Sequence, residues 1–77
     1  MIKPILISHY CDNGILKSER WMRDDKCHNT TGPAIIRYYS NGLIYNICWY
    51  LNGEQCDIHH WCRKTGNDPL LMKMMYS

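Results

Sequence analysis

The chain has 77 residues, a mass of 9.2 kDa and a formal net charge of +2 at pH 7. This length allows one domain with a small core, because a domain of about 60 residues buries only about 60% of its unfolded surface. Basic and acidic side chains are interspersed, and uncharged apolar runs are only a few residues long. The composition therefore excludes a transmembrane helix, and it lacks the basic stripe that is typical of nucleic-acid-binding domains.

The N-terminal residues predict a cytoplasmic location. The segment Met1–Ile7 lacks the apolar stretch and the small-residue cleavage site of a signal peptide. We therefore expect the five cysteines to stay reduced, since disulfides persist mainly in oxidising compartments. An odd number of cysteines also leaves at least one thiol outside any scheme of intramolecular pairs.

An internal repeat organises most of the chain. A shift of 28 residues places Tyr10 on Tyr38, Asn13-Gly14 on Asn41-Gly42, and Trp21 on Trp49. Each unit therefore predicts a strand, an Asn-Gly turn, a second strand that carries the Trp, and another turn. The Asn-Gly pairs favour type I′ turns, which need positive φ at both central residues. The second turns fall at Asp24-Asp25 and Asn52-Gly53, whose residue types tolerate a left-handed backbone.

These patterns predict a mostly β fold, an antiparallel β-hairpin meander built from the 28-residue repeat and followed by a short C-terminal α-helix. The predicted strands cover residues 4–10, 15–22, 26–29, 33–39, 43–50 and 54–63. Two repeat units, about 5–32 and 33–60, form a β domain over residues 1–66. Residues 67–77 form a helical tail that packs on the sheet.

The tail carries the signals of a helix start. Asp68 is the expected N-cap, and Pro69 occupies the first helical position. One apolar stripe follows at three- and four-residue spacing: Leu70, Leu71, Met74 and Met75. A helix this short requires a docking partner, so we expect the stripe to cover the open face of the sheet. The alternative is a methionine-rich contact for another protein, because methionine packs adaptably at binding surfaces.

One spaced motif runs from Trp21 to Gly53: W-x6-H-x3-G-P-A-x3-Y-Y-x-N-G-x6-W-Y-x-N-G. Over roughly residues 5–56 the chain resembles the variant MORN-type repeat. The resemblance implies a β-hairpin array without common catalytic residues, and a viral or bacterial accessory protein, since such repeats abound in bacteriophages and large DNA viruses. It gives repeat-structural roles to Gly14, Trp21, His28, Gly32, Pro33, Gly42, Trp49 and Gly53. Cys56 departs from the pattern, because it stands where the second histidine is expected.

The cysteines and histidines around residue 60 are the candidates for a metal site. Zinc takes four N or S ligands, and the alternative ligand set is Cys27, Cys56, His60 and Cys62. On a continuous strand over 54–63, His59 and Trp61 point away from the other side chains, so at most three ligands converge. We therefore expect structural thiols and histidines without a cofactor, with zinc as the alternative.

The sequence offers no catalytic constellation. Cys27 and His28 are adjacent, and neighbours on a strand point to opposite faces, which separates a nucleophile from its base. Glu19 and Glu54 are the only glutamates, and four aspartates have explanations as turn or cap residues: Asp12, Asp24, Asp25 and Asp68. We expect a protein that is not an enzyme.

The side-chain types favour a protein partner. Tyr, Trp, Met and Arg are enriched in protein interfaces, and the candidate contact residues are Tyr39, Tyr50, Trp61, Arg63, Met72 and Met75. With the resemblance, they predict a virus-encoded accessory protein in the host cytoplasm that binds and inhibits or redirects a host or bacterial protein, in host takeover or anti-defence. The alternative is a zinc-stabilised module that binds nucleic acid. The oligomeric state, monomer or homodimer, stays open.

Overall fold

The structure, a computed structural model, describes residues 4–76. These residues form six strands and two helices: β1 Ile5–Tyr10, β2 Leu16–Arg23, β3 Lys26–Cys27, β4 Ile35–Tyr38, β5 Ile44–Leu51, β6 Glu54–Cys56, α1 Ile58–Thr65 and α2 Pro69–Tyr76. The strands pair antiparallel in the order β1-β2-β4-β5-β6, and β3 pairs with β2 beside β4. The predicted β-hairpin meander with a C-terminal helix is confirmed.

The 28-residue repeat is visible in the backbone pairing. β1 and β2 form the first hairpin, and β4 and β5 form the second hairpin in the equivalent register. The equivalent pairs are Ile7↔Arg20 and Ile35↔Cys48, and the equivalent irregularities follow His9 and Arg37. Each unit is therefore a hairpin plus a short third strand, and β2 joins the two units by pairing with β4.

The Asn-Gly loops adopt a different turn from the predicted type I′. Gly14 has a φ of 86°, whereas Asn13 is not among the described non-glycine residues with positive φ. Gly14 N donates to Cys11 O at 2.9 Å, and Asn13 Oδ1 accepts from Ile15 N at 3.2 Å. This is a type I turn closed by a left-handed glycine, because the Asn side chain bonds to the backbone two residues on. The loop over residues 39–43 repeats the arrangement.

The type I′ geometry appears instead in the second turn of each unit. Asp24 and Asp25 have φ values of 51° and 62°, and Asn52 and Gly53 have φ values of 51° and 86°. Both turns join strands through two residues, where a left-handed backbone matches the strand twist. The first unit achieves this turn without a glycine.

The predicted strand over 54–63 is wrong beyond Cys56. Asp57 adopts an extended conformation and its carboxylate accepts a hydrogen bond from His60 N at 2.8 Å, which caps helix α1. Helix α1 then buries Trp61 and Cys62 on one side. A cap followed by apolar residues at three- and four-residue spacing describes a helix better than an alternating strand.

The core lies on the face of the sheet that the two helices cover. The rings of Trp49 on β5 and Trp61 on α1 are 4.5 Å apart, and Tyr76 meets Trp49 edge-on at 6.0 Å. Cys62 and Met72 complete the buried cluster. The indole N–H of Trp61 donates to the backbone oxygen of Asn29 at 2.9 Å, so α1 also binds the loop over residues 28–34.

Helix α2 begins as predicted but docks through the opposite side. Asp68 Oδ1 accepts from Leu70 N at 2.9 Å, which confirms the cap. Met72 is only 4% exposed and Tyr76 packs against the core cluster, so this pair faces the sheet. The four stripe residues predicted to dock are instead exposed: Leu70, Leu71, Met74 and Met75.

The two repeat tryptophans should contribute unequally to stability. Trp49 is 8% exposed within the core cluster, whereas Trp21 is only half-buried. Trp49→Ala should lower the free energy of unfolding by about 3–5 kcal/mol, the usual cost of removing a buried aromatic, and Trp21→Ala should cost less. Urea unfolding of both variants measures the difference, and equal losses would contradict the proposed location of the core.

A glycine in the β2–β3 turn should stabilise the protein. Asp25 has a positive φ of 62°, while the equivalent position in the second unit is Gly53. Because a left-handed backbone costs non-glycine residues about 1–2 kcal/mol, less for Asp, Asp25→Gly should add about 0.5–1 kcal/mol. The comparison variant, Gly53→Ala, should lower the free energy of unfolding. Its added Cβ makes only ordinary contacts with Lys26, so the loss comes from placing a non-glycine residue at a positive φ. Thermal unfolding that moves in the same direction for both variants would contradict this account.

Candidate functional site

The predicted contact residues separate into surface and core groups. Tyr39, Arg63 and Met75 are exposed, and Tyr50 is half-buried. Trp61 has no exposed surface and Met72 is 4% exposed, because both fill the core beneath the helices. Assigning Trp61 and Met72 to a partner surface was therefore wrong, and their size and apolarity serve packing.

A row of large apolar side chains runs along the outer side of α2. We refer to Leu70, Leu71, Met74 and Met75 as the α2 stripe. Their exposed fractions range from 50% to 73%, while Met72 and Tyr76 hold the helix to the core from its other side. The spacing in the sequence indicated the stripe, but the direction in which it faces depends on which side chains fit the core.

A second exposed apolar surface lies at the end of the sheet that carries both long hairpin loops. The rings of Tyr39 and Tyr45 are 5.0 Å apart, and both side chains are exposed. A shallow cleft of about 450 Å³ next to them is lined by Tyr38, Gly42, Leu43 and Ile44. β1 and β4 run in the same direction because both pair antiparallel with β2, so Tyr10 lies at the same end.

Tyr38 in this region makes a structural hydrogen bond. Its hydroxyl donates to Glu19 Oε1 at 2.5 Å across the β2–β4 pair. Burial, followed by the bond to Glu19, raises the pKa of Tyr38 to about 12. The phenol therefore stays protonated near neutral pH, which suits a structural hydrogen-bond donor between the two repeat units rather than an acid–base group.

The four candidate zinc ligands are not brought to one point. Cys56 and His60 line the same cleft of about 350 Å³, together with Glu54. Cys62 is instead buried in the core, and Cys27 lies on β3, where its thiol contacts Met22 Sδ at 3.6 Å. Within residues 4–76, no group of three or more Cys, His, Asp or Glu side chains is arranged to hold a metal ion.

The thiols next to the helices have a reduced tendency to ionise. Burial raises the pKa of Cys62, and the Asp68 carboxylate adds to the effect. Burial also raises the pKa of Cys56, with Glu54 as the next contribution. A nucleophilic cysteine needs the opposite shift, because the thiolate is the reactive form.

His28 connects the two repeat units. It is 5% exposed, its backbone N donates to Trp21 O at 3.0 Å, and its Nδ1 accepts from Asn52 N at 2.9 Å. Burial, with a smaller contribution from the positive charge of Arg23, lowers the pKa of His28 below its ordinary value. The predicted structural role of this histidine is thus a neutral ring that accepts a hydrogen bond from the β5–β6 turn.

Gly32 and Pro33 shape the loop against which the helices close. A Cβ on Gly32 would lie 2.8 Å from Tyr76 Oη, so the glycine makes room for that ring. Pro33 is fully buried, and its carbonyl accepts from Asn29 Nδ2 at 3.1 Å. Asn29 is itself buried, so this short segment is held by internal hydrogen bonds. Sequence analysis missed Asn29, whose backbone oxygen also accepts the Trp61 bond.

Comparison of the chain with protein-family models, curated proteins and solved structures finds no match. The similarity to variant MORN-type repeats therefore stays a prediction that rests on the motif and its spacing. In the described part of the chain, neither helix has the length and apolarity needed to cross a membrane.

Acidification should destabilise the fold through His28. Because its pKa is lowered in the folded state, the unfolded chain binds more protons as the pH falls below about 6.5. Stability from the neutral ring is therefore complete above that pH and declines below it. We expect the urea midpoint to fall from about pH 7.5 to about pH 5, and His28→Asn, which keeps an acceptor but does not titrate, should remove part of that fall.

The control for this experiment is His9→Asn, because His9 is exposed on β1. This variant should keep the pH dependence of the wild-type protein. An unchanged pH dependence in His28→Asn would assign the acid sensitivity to other groups.

Proposed function

We propose that this protein is a non-enzymatic accessory module that binds a host protein and inhibits or redirects it by covering its surface. The observation that carries the proposal is the α2 stripe, four large apolar side chains that are at least half exposed on a helix already docked by its other side. The viral origin, which the repeat resemblance implies, and the host cytoplasm as the place of action belong to the same proposal.

The chemistry of the α2 stripe favours a protein groove as its partner. Leucine and methionine side chains offer apolar area to bury and can adapt to an irregular surface. Contiguous exposed apolar side chains on a soluble domain commonly mark interaction sites. An exposed helix face of this kind fits the binding mode in which one helix lies in the apolar groove of its partner.

The α2 stripe is preorganised for binding, because α2 is already fixed to the rest of the protein. Asp68 caps the helix, while Met72 and Tyr76 fix it to Trp49 and the rest of the core. A partner therefore does not have to order the helix, and that ordering cost would otherwise weaken binding. The exposed Tyr39–Tyr45 pair at the sheet end offers additional aromatic contact area of the type enriched in interfaces.

Two observations favour a protein partner over the alternative zinc-stabilised nucleic-acid module. The nine basic side chains are balanced by seven acidic ones, and the α2 stripe itself is uncharged. The candidate ligands Cys27 and Cys62 lie apart from the cleft that holds Cys56 and His60. The raised pKa values of Cys56 and Cys62 support a non-enzymatic role, since both thiols are held in their unreactive form.

The proposal predicts that charge on the α2 stripe abolishes partner binding without unfolding the protein. Leu70 and Met74 are 67% and 73% exposed. Leu70→Lys and Met74→Lys should therefore leave the free energy of unfolding, measured with urea, within about 0.5 kcal/mol of the wild-type value. Tagged wild-type protein should retain a specific host protein from lysate, and both variants should lose it. Binding should then be measured with that partner in purified form.

A matched control uses Leu43→Lys, because Leu43 is 64% exposed but lies on the hairpin loop rather than on α2. It should bind the partner like wild type. Loss of binding in Leu43→Lys alone would transfer the interaction to the hairpin loops. The nucleic-acid alternative would be favoured if the protein retains nuclease-sensitive DNA or RNA and its affinity for that nucleic acid falls at least a thousandfold between about 50 and 200 mM salt.

A further inference from the structure

One edge of the sheet carries an apolar strand without a neighbour. β1 pairs with β2, and within residues 4–76 no strand pairs with its other edge. Ile5, Leu6 and Ile7 are 66%, 41% and 41% exposed, so apolar groups face solvent on both sides of this strand. Exposed edges are usually protected by charge, proline or a bulge, and β1 has only the irregularity next to Tyr10 at its far end.

Toward the opposite edge of the sheet, part of β5 also lacks a second neighbouring strand. In the first unit, residues 18–20 of β2 pair with β1 on one edge and with β4 on the other. The equivalent residues of β5, Asn46 to Cys48, pair with β4 on one edge. β6 covers β5 only over Trp49–Leu51, so among the described strands none pairs with the second edge of Asn46 to Cys48.

The equivalence of the two repeat units predicts which strand fits this edge. β4 is the strand that occupies the corresponding edge of β2, and β1 is the 28-residue equivalent of β4. We propose that β1 of a second copy of this chain adds to the free edge of β5, antiparallel and in the register of the β2–β4 pair. The expected pairs are Ile7 of the second copy with Cys48, Ser8 with Ile47, and His9 with Asn46.

The side chains on the helix side of this edge support the same occupant. An apolar cleft of about 160 Å³ opens beside β5, and it is lined by Ile47, Trp49, Ile58, Met72, Lys73 and Tyr76. Leu6 is the equivalent of Ala34, whose oxygen accepts from Trp21 N at 2.7 Å. In the proposed register Leu6 of the second copy therefore lies next to the Trp49–Cys56 pair, on the face of the sheet where the cleft opens. A cavity of roughly 150 Å³ accepts benzene, so the space suits a leucine side chain.

Such an assembly is head-to-tail, because two different surfaces of each copy meet. Contacts of this kind continue from copy to copy and give rings or open chains rather than closed dimers. The inference goes beyond the proposed function, since it uses β1 and β5 and leaves the α2 stripe free. Binding of a host protein through α2 can therefore succeed or fail independently of self-association.

A disulfide can test the register directly. Trp21 N donates to Ala34 O, and this bond flanks the pair Arg20↔Ile35, so that pair is a non-hydrogen-bonded one. The equivalent intermolecular pair is Cys48 with residue 7, whose Cα atoms should be about 4.5 Å apart and within disulfide range. Ile7→Cys should therefore form a covalent ladder of dimers and larger species under mild oxidation, detected on non-reducing gels.

Three comparisons decide the outcome. Ser8→Cys places the thiol on the other face and should give only the wild-type background, which includes the five native cysteines. Adding Cys48→Ser to Ile7→Cys should abolish the ladder. If cross-linking persists without Cys48, the association joins two β1 strands symmetrically, and the head-to-tail register is overturned.

Sedimentation velocity provides the test without any cross-link. Wild-type protein should show a rising weight-average mass with increasing concentration, and Leu6→Lys should remain monomeric with an unchanged far-UV spectrum. Leu6 is 41% exposed, so the variant should fold. A wild-type protein that stays monomeric at the highest soluble concentration, with no ladder in Ile7→Cys, would overturn the proposal.

Discussion

The position of the Trp61 indole determines how the rest of the molecule closes. Its ring packs against that of Trp49 on the sheet in a tilted arrangement, with the ring centroids 4.5 Å apart, and its N–H donates to the backbone oxygen of Asn29. A buried tryptophan requires both a packing surface and a partner for its polar group, and here the two come from different repeat units. Helix α1 therefore cannot shift along the sheet without losing either the ring–ring contact or the hydrogen bond. Met72 and Tyr76 then pack against a surface that is already fixed.

Polar contacts between the units add to this constraint. His28 of the first unit accepts a hydrogen bond from Asn52 in the second, and Tyr38 of the second donates to Glu19 in the first. Within the described residues, every buried side-chain nitrogen or oxygen has a partner. These bonds lie in a thin sheet whose aliphatic core is small, so they define the relative placement of the units as much as apolar burial does. These bonds thus link the two repeat units into one packed structure.

The sequence predicted the parts of the fold that depend on short-range patterns. The 28-residue shift located both hairpins and both second turns, and Asp68 with Pro69 located the start of α2. Three predictions failed for physical reasons that lie elsewhere in the chain or in competing local bonds. Asn13 uses its side chain to bond Ile15 N, which replaces the left-handed conformation expected for it.

The other two failures concern the helices. The alternating residues after Cys56 also satisfy helical spacing, and the Asp57 cap selects the helix. The side of α2 that docks is selected by Trp49, with room for Tyr76 provided by Gly32, and both residues are distant in sequence. For the same reason the burial of Trp61 and Met72, and so their exclusion from a contact surface, was not visible in composition alone. Tyr39, predicted as the last residue of a strand, is exposed and lies just after β4, in the hairpin loop.

The bond between Trp61 and Asn29 also has a consequence for the order of folding. Its partners are 32 residues apart, whereas each hairpin closes within a few residues around its Asn-Gly loop. Local contacts form early and distant ones form late, because closing a longer loop costs more chain entropy. Both hairpins therefore form before Trp61 docks, and until then the face of β5 that carries Trp49 stays uncovered. The interval before α1 docks is thus the stage of folding at which the incomplete sheet exposes most apolar surface and associates most readily with other chains.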